Sequence, residues 1–245
     1  MTDKIAVVTG GSQGLGFAIA AELKSAGYYV VIFGRRQDVL DDAVARLGGG
    51  ASAISVDIGS LAAVDAAFAE IDRLPGTLSV LVNNAGVFIP APIDEADDDV
   101  INQTISTNLV GTIACTRAAI KRMKQAGTGD VINVTSEGAS FAFPLLSVYC
   151  ASKAGVEQFT RVLNSELRKT DIRIMTARVG AMRTEGASNA YNNKFAARFG
   201  EAALESGAVF RAGQGMDPAS PARTIVATLA TARDAKPAMI DINSA

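Results

Sequence analysis

This chain of 245 residues predicts an α/β fold built on a parallel sheet. Three observations carry that prediction. Short β-rich runs alternate with longer helical patterns along the whole chain. Several of the runs are nearly continuous in apolar residues, as in strands covered on both faces. Repeats, low-complexity tracts and Pro/Ser-rich linkers are absent, so right-handed crossovers within one domain account for the alternation.

The elements follow in order. Strand Ile5–Thr9 runs into Thr9-Gly10, and helix Leu15–Ser25 comes next. Strand Val30–Phe33 lies in the longest strongly apolar run of the chain, 28–33, and helix Asp38–Leu47 stops at the glycine run 48–50. Ala53–Val56 and Leu61–Asp72 form the third strand–helix unit; Val80–Val82 and the long pattern Asp97–Gln125 form the fourth. Val131–Thr135 leads to helix Val148–Lys169, then strand Ile172–Ala177. Helix Pro221–Ala232 precedes a last strand near Ala238–Asp241. The rhythm breaks once, over 182–216, where the chain is rich in Asn, Gly and Ala and carries Tyr191, Phe195, Phe199 and Phe210. Inserted between a strand and a helix at the carboxyl edge of the sheet, it reads as a substrate lid. A pair of surface helices fits the same composition.

Composition excludes several classes. Histidine is absent, which removes His triads, His metal sites and His general bases, and two cysteines without it make a thiolate metal site improbable, so no metal is expected. Acid–base chemistry falls to Tyr, Lys, Ser, Asp or Glu. The net charge is −2 and no basic stretch exceeds two residues, so nucleic acid is not an expected partner. No apolar run is long enough to span a bilayer. With Asp3 and no apolar signal region at the N-terminus, the expected location is cytoplasmic. Cys115 and Cys150 alone argue against a disulfide framework.

Two motifs carry chemistry. Tyr149 and Lys153 stand four positions apart, thirteen residues after Ser136. On a helix that spacing puts both on one face, and an ammonium beside a phenol favours the phenolate, lowering its pKa from about 10. The pair then serves as a proton shuttle near neutral pH. The second motif is Thr9-Gly10-Gly-Ser12-Gln13-Gly14-Leu15-Gly16, after strand one and before helix one. Glycines there let the chain turn sharply and let a diphosphate approach the helix N-terminus, where free N–H groups and the helix dipole favour an anion.

Other positions complete a dinucleotide site. An NAD enzyme places an acid near the end of the second strand to bond the ribose 2′-hydroxyl. This chain has Gly34 there, followed by Arg35 and Arg36, which suit a 2′-phosphate and favour NADP, with NAD possible. Solvated charges neutralised by Asp38, Asp41 and Asp42 are the alternative. Asp57, followed by Ile58, stands where an adenine amino group would be bonded; a turn or N-cap role fits it as well. Asn83-Asn84-Ala85-Gly86 suits a tight turn against a flat ligand, and Asn83 fits bracing of the sheet as well as direct contact.

Taken in order, these pieces resemble the short-chain dehydrogenase/reductase family over nearly the whole chain. T-G-x-x-x-G-x-G stands at Thr9–Gly16, N-N-A-G at Asn83–Gly86, and Y-x-x-x-K at Tyr149–Lys153, with Asn108 and Ser136 in the places of the family's helix asparagine and serine. The resemblance implies a three-layer, doubly wound Rossmann fold with a seven-stranded parallel sheet. It also implies NAD(P)-dependent interconversion of an alcohol and a carbonyl. Tyr149 looks like the general acid–base and Ser136 like the group that holds the carbonyl oxygen. Lys153 looks like the residue that biases Tyr149 and bonds the nicotinamide ribose. Asn108 is similar to the residue that kinks its helix and holds a water leading from Lys153 to solvent. The family's V-N-x-x-x-P-G is replaced by Ile174-Met-Thr-Ala-Arg-Val179-Gly180: Val179 and Gly180 still present backbone to the nicotinamide carboxamide, without proline's fixed φ. Met182 and Thr184 take positions that touch the cofactor's amide or phosphate side. A homo-oligomer, dimer or tetramer, through Asp97–Gln125 and Val148–Lys169 is a family expectation, weakened for the tetramer by an ending unlike the family's V-D-G-G.

The substrate end lies between 137–146, 87–93 and the lid, with Phe141, Phe143, Leu145, Leu146, Met182 and Tyr191 as candidate walls for a hydrophobic ketone, aldehyde or secondary alcohol. Glu137 reads as a solvated carboxylate or a recogniser of a polar group. Two other readings of the fold stand beside the enzyme: a dinucleotide-binding sensor or scaffold with little turnover, and a cofactor-free lyase, which Lys153 and the glycine loop oppose.

Overall fold

The computed structural model describes residues 4–183, 194–207 and 215–243. It contains seven strands: β1 Lys4–Thr9, β2 Tyr29–Gly34, β3 Ala51–Ser55, β4 Thr77–Asn83, β5 Thr128–Ser136, β6 Asp171–Val179 and β7 Met239–Ile242. All pair in parallel, in the order β3-β2-β1-β4-β5-β6-β7. This is a Rossmann-type sheet. The chain winds outward from β1 to β3, crosses back to β4, and winds outward again. The crevice between β1 and β4 is therefore the switch point where such sheets bind ligands.

The three layers follow from side-chain alternation in the strands. In β1, Ile5 and Val7 face one core and Ala6 and Val8 the other. The first core is covered by helix α3 (Leu61–Ile71) through Val64 and Phe68, and by α5 (Thr112–Ala126) through Cys115 and Met123. The second is covered by α1 (Gly14–Ser25) through Ile19 and Leu23, and by α2 (Gln37–Leu47) through Leu40. Central strands are apolar on both faces because both faces are buried. No helix of the described residues is long and apolar enough to cross a membrane.

Boundaries differ from the sequence reading where backbone pairing continues past the apolar run. Strand β5 begins three residues before Val131, at Thr128, because its polar start still pairs with β6. The pattern Asp97–Gln125 is a helix with a change of pitch inside it. Helix α4 (Asp98–Ile105) passes into a π-helical stretch, Ser106–Gly111, before α5. The cause is Asn108, whose side chain bonds both backbone groups of Val87 and so draws the helix toward β4. Helix α6 spans Ser147–Glu166. The segment read as a lid contains helix α7 (Ala196–Glu205), and its two ends are joined by a bridge between Met182 and Met216. Helix α8 (Ala219–Ala227) packs on α1. Thr184, Tyr191 and Phe210 lie outside the described residues.

Candidate active site

The glycine turn needs its glycines. Gly10 and Gly14 have φ of +64° and +53°, in the left-handed region. A Cβ on Gly16 would stand 2.1 Å from the Gly10 carbonyl oxygen. Gly16→Ala is therefore expected to cost about 3 kcal/mol in a urea melt. An unchanged midpoint would refute the close approach. Helix α1 starts from Gln13, whose side chain does not cap it, and no acid stands in its first turn. Its leading N–H groups and dipole thus remain available to an anion. Thr9 Oγ1 accepts from the N–H groups of Asn84 and Ala85, both at 3.0 Å, and Asn84 Nδ2 donates to Thr9 O at 3.1 Å. The glycine turn and the Asn84–Gly86 turn are therefore one unit. These features fit a dinucleotide diphosphate.

At the end of β2, Arg35 and Arg36 are exposed. Of the acids offered as their neutralisers, Asp41 accepts from Gln37 Nε2 at 2.7 Å and Asp42 pairs with Arg46 at 3.5 Å. Arg36 leans over the glycine loop, donating from Nη2 to Gln13 Oε1 at 3.2 Å. Asp57 closes a turn, with Oδ1 accepting from Gly59 N at 3.0 Å, and still borders the cleft. Asn83 braces the sheet: its buried Nδ2 donates to Thr116 Oγ1 and Asn133 Oδ1 at 2.9 and 2.8 Å.

The second group gathers at the carboxyl end of β5. Ser136 ends the strand, its hydroxyl accepting from Gly138 N at 3.2 Å, and it borders the cleft with Tyr149 in the first turn of α6. Lys153, one turn on, lies 5.9 Å from the centre of the Tyr149 ring and donates from Nζ to Val134 O at 3.1 Å. Asn108 is buried, with Oδ1 accepting from Val87 N at 2.8 Å and Nδ2 donating to Val87 O and Ser152 Oγ at 2.9 and 3.1 Å. A Cβ on Gly86 would lie 3.3 Å from Asn108 Oδ1 and 3.4 Å from Lys153 Nζ, so the N-N-A-G turn sits directly against both.

The electrostatics run against the simple sequence argument. Burial pushes the Tyr149 phenol up to about 12, the Ser136 hydrogen bond opposing, and burial pulls Lys153 down to about 8. Desolvation dominates the phenol, and the ammonium Nζ donates to the Val134 carbonyl instead.

One cleft of about 800 Å³ joins the two groups. It is lined by Gly10, Ser12, Gln13, Gly14, Leu15 and Gly16, by Arg35, Arg36, Asp57 and Ile58, and by Asn84, Ala85 and Gly86. At the other end stand Ser136, Tyr149, Lys153, Val179, Gly180 and Met182. Asn108 reaches it through Val87 and Gly86. Phe143 and Leu146 are walls as expected; Phe141, 39% exposed, and Leu145, held at φ +63°, do not line it. Glu137 is no solvated glutamate: it is 8% exposed, packs against Gly180 and borders the cleft. Sequence reasoning did not single out Phe88, which meets the Tyr149 ring edge-on at 5.0 Å, or its contact with Phe199 of α7 at 5.6 Å. Phe88 follows the N-N-A-G turn by two residues, the one local signal that would have marked it.

Comparisons with known proteins show what the chain is similar to. A family model described as short chain dehydrogenase matches residues 4–194. Oxidoreductase asL5 of Sarocladium schorii is 36% identical over 190 residues, covering 78% of this chain and 76% of that protein. The 2,3-dihydro-2,3-dihydroxybenzoate dehydrogenase of Bacillus subtilis (strain 168) is 32% identical over 185 residues, 74% and 71% of the two chains. A solved structure of actinorhodin polyketide ketoreductase with NADPH superposes with a TM-score of 0.85 at 28% identity, covering 98% of this chain and 95% of that one.

Proposed function

Because the chain belongs to the short-chain dehydrogenase/reductase family of oxidoreductases, we propose that it interconverts a hydrophobic ketone or aldehyde and its alcohol with NADP(H). The observation that carries this is that Ser136, Tyr149 and Lys153 border one end of the same cleft whose other end is the glycine turn. The nicotinamide, when bound, supplies or accepts the hydride. In the reductive direction Tyr149 gives its hydroxyl proton to the carbonyl oxygen, so carbon gains a hydride, oxygen a proton, and the product is the alcohol. Ser136 holds that oxygen through its hydroxyl and orients it toward Tyr149. Lys153 would bond the nicotinamide ribose hydroxyls, and Asn108 fixes the Val87 turn in front of it. Phe88, Phe143, Leu146 and Phe199 exclude water from the reacting carbonyl.

NADP is favoured because Arg35 and Arg36 stand where an NAD enzyme needs an acid, and among the described residues neither pairs with a carboxylate. Each charge-assisted bond to a 2′-phosphate is worth about 1.5–3 kcal/mol. Arg35→Ala is expected to raise KM for NADPH by about 10- to 100-fold and leave KM for NADH nearly unchanged. Equal effects on both would defeat the 2′-phosphate assignment. A homo-oligomer through the outer sides of α5 and α6, where Ile113 and Val162 are exposed, belongs to the same reading. The whole is tested by NADPH oxidation against a panel of apolar ketones and aldehydes. Tight NADPH binding without turnover on any of them would favour a sensor or scaffold instead.

A further inference from the structure

The face of α6 that carries Tyr149 and Lys153 carries a third polar residue one turn later, Glu157. All three meet the end of β5. Lys153 Nζ donates to Val134 O at 3.1 Å, Thr135 Oγ1 donates to Glu157 Oε1 at 2.9 Å, and Ser136 and Tyr149 border the same cleft. Glu157 is buried, and its counter-charge comes from β6. Arg178 forks onto it, Nε to Oε1 at 2.9 Å and Nη2 to Oε2 at 2.7 Å, while its Nη1 reaches Asp241 Oδ2 on β7 at 3.2 Å.

The sheet register gives this pair its meaning. Thr135, Arg178 and Asp241 form one rung across β5, β6 and β7, and Ser136, Val179 and Ile242 form the next. The second rung supplies Ser136 and Val179 to the cleft. Directly after it the chain leaves the sheet at Gly180, held by its N–H to Ile242 O at 2.9 Å. Neither Val179 nor Gly180 restricts its own φ as a ring would. A partly buried, two-pronged ion pair immediately before them is the rigid tie between that strand end and α6.

The geometry points to Glu157 and Arg178 as positioning residues. Their ion pair fixes the distance between the α6 face bearing Tyr149 and Lys153 and the strand end 179–180, across which the dinucleotide ring and the carbonyl must meet. This rests on the hydride-transfer reading. A misplacement of about 1 Å at such a site costs on the order of 100-fold in rate.

Glu157→Gln keeps the shape and the Thr135 bond but removes the charge. Arg178→Lys keeps the charge but loses the fork. In Glu157→Gln, kcat for carbonyl reduction is expected to fall by about 10- to 100-fold. The Kd for NADPH, read by its fluorescence, stays within about threefold, a difference of under 1 kcal/mol. The primary deuterium isotope effect with 4-deuterated NADPH rises as hydride transfer becomes limiting. Arg178→Lys falls between Glu157→Gln and wild type in all three readouts. Wild-type kcat and isotope effect in both variants, with only the melting temperature lowered, would reduce the pair to a stability element and overturn the inference. Should Glu157→Gln fail to fold, Arg178→Lys decides alone. A wild-type protein that binds NADPH but turns over no carbonyl counts against hydride transfer itself, which separates the two failures.

Discussion

Replacing Tyr149 with phenylalanine is expected to lower kcat by about 10³- to 10⁴-fold while leaving NADPH binding nearly unchanged. The substitution deletes one oxygen. It keeps the ring that Phe88 meets edge-on and that lies under Lys153. It leaves the glycine turn, Asn84 and the two arginines, which line the far end of the cleft and are proposed to hold the dinucleotide, untouched. Without the phenol the proposed proton donor to the carbonyl oxygen is gone, and histidine is absent from the chain. Steady-state rates on the best ketone, with Kd from NADPH fluorescence and a thermal melt as controls, decide the matter. A variant that retains a tenth of the rate would show that the proton comes from elsewhere, and the assignment of Tyr149 would fall.

Local spacing is what the sequence displays well. Tyr149 and Lys153 are four apart, and the helix they sit on makes that spacing a shared face whatever the rest of the fold does. Thr9–Gly16 lies between a strand and a helix, and the steric demand for glycine at positions 10 and 16 is a backbone property readable from order alone. What stayed hidden depends on which strands lie side by side. Arg178 meets Thr135 and Asp241 only because β5, β6 and β7 are neighbours in one register, and nothing in the spacing of residues 135, 178 and 241 announces it. Glu137 looks solvated in sequence because glutamates usually are, yet the exit of β6 at Gly180 covers it. The π-helical stretch at Asn108 exists because a loop 21 residues earlier offers both its N–H and its C=O. The direction of the Tyr149 shift was inverted for a related reason. Charge proximity is written in the sequence, whereas desolvation is a property of everything packed around the pair.

That desolvation makes Lys153 a liability for folding, which leads to the second large effect: Lys153→Met is expected to be inactive and yet more stable than wild type at pH 7. The ordinary lysine value is 10.5 and burial lowers Lys153 to about 8. Below pH 8 the ammonium is charged in both states, and holding it charged inside the fold costs about 3 kcal/mol. Losing the charge-assisted bond from Nζ to the Val134 carbonyl costs about 2 kcal/mol, so methionine, which fills the volume of the lysine stem, leaves a net gain of about 1 kcal/mol. The sign also fixes the pH dependence. Between pH 8 and 10.5 the unfolded chain binds a proton at this residue that the folded chain has released, so this residue makes wild-type stability rise with pH. Above pH 10 Tyr149 works in the opposite sense, since its folded form keeps its proton up to about 12 while the unfolded phenol has lost it. The wild-type curve should therefore climb relative to that of Lys153→Met between pH 8 and 10, and the two should converge. Urea melts at pH 7, 9 and 10 measure this directly. Parallel curves, or a methionine variant weaker than wild type at pH 7, would show that the ammonium is solvated or paired in the fold. A solvated or paired Lys153 would leave the dry catalytic pocket without its physical basis.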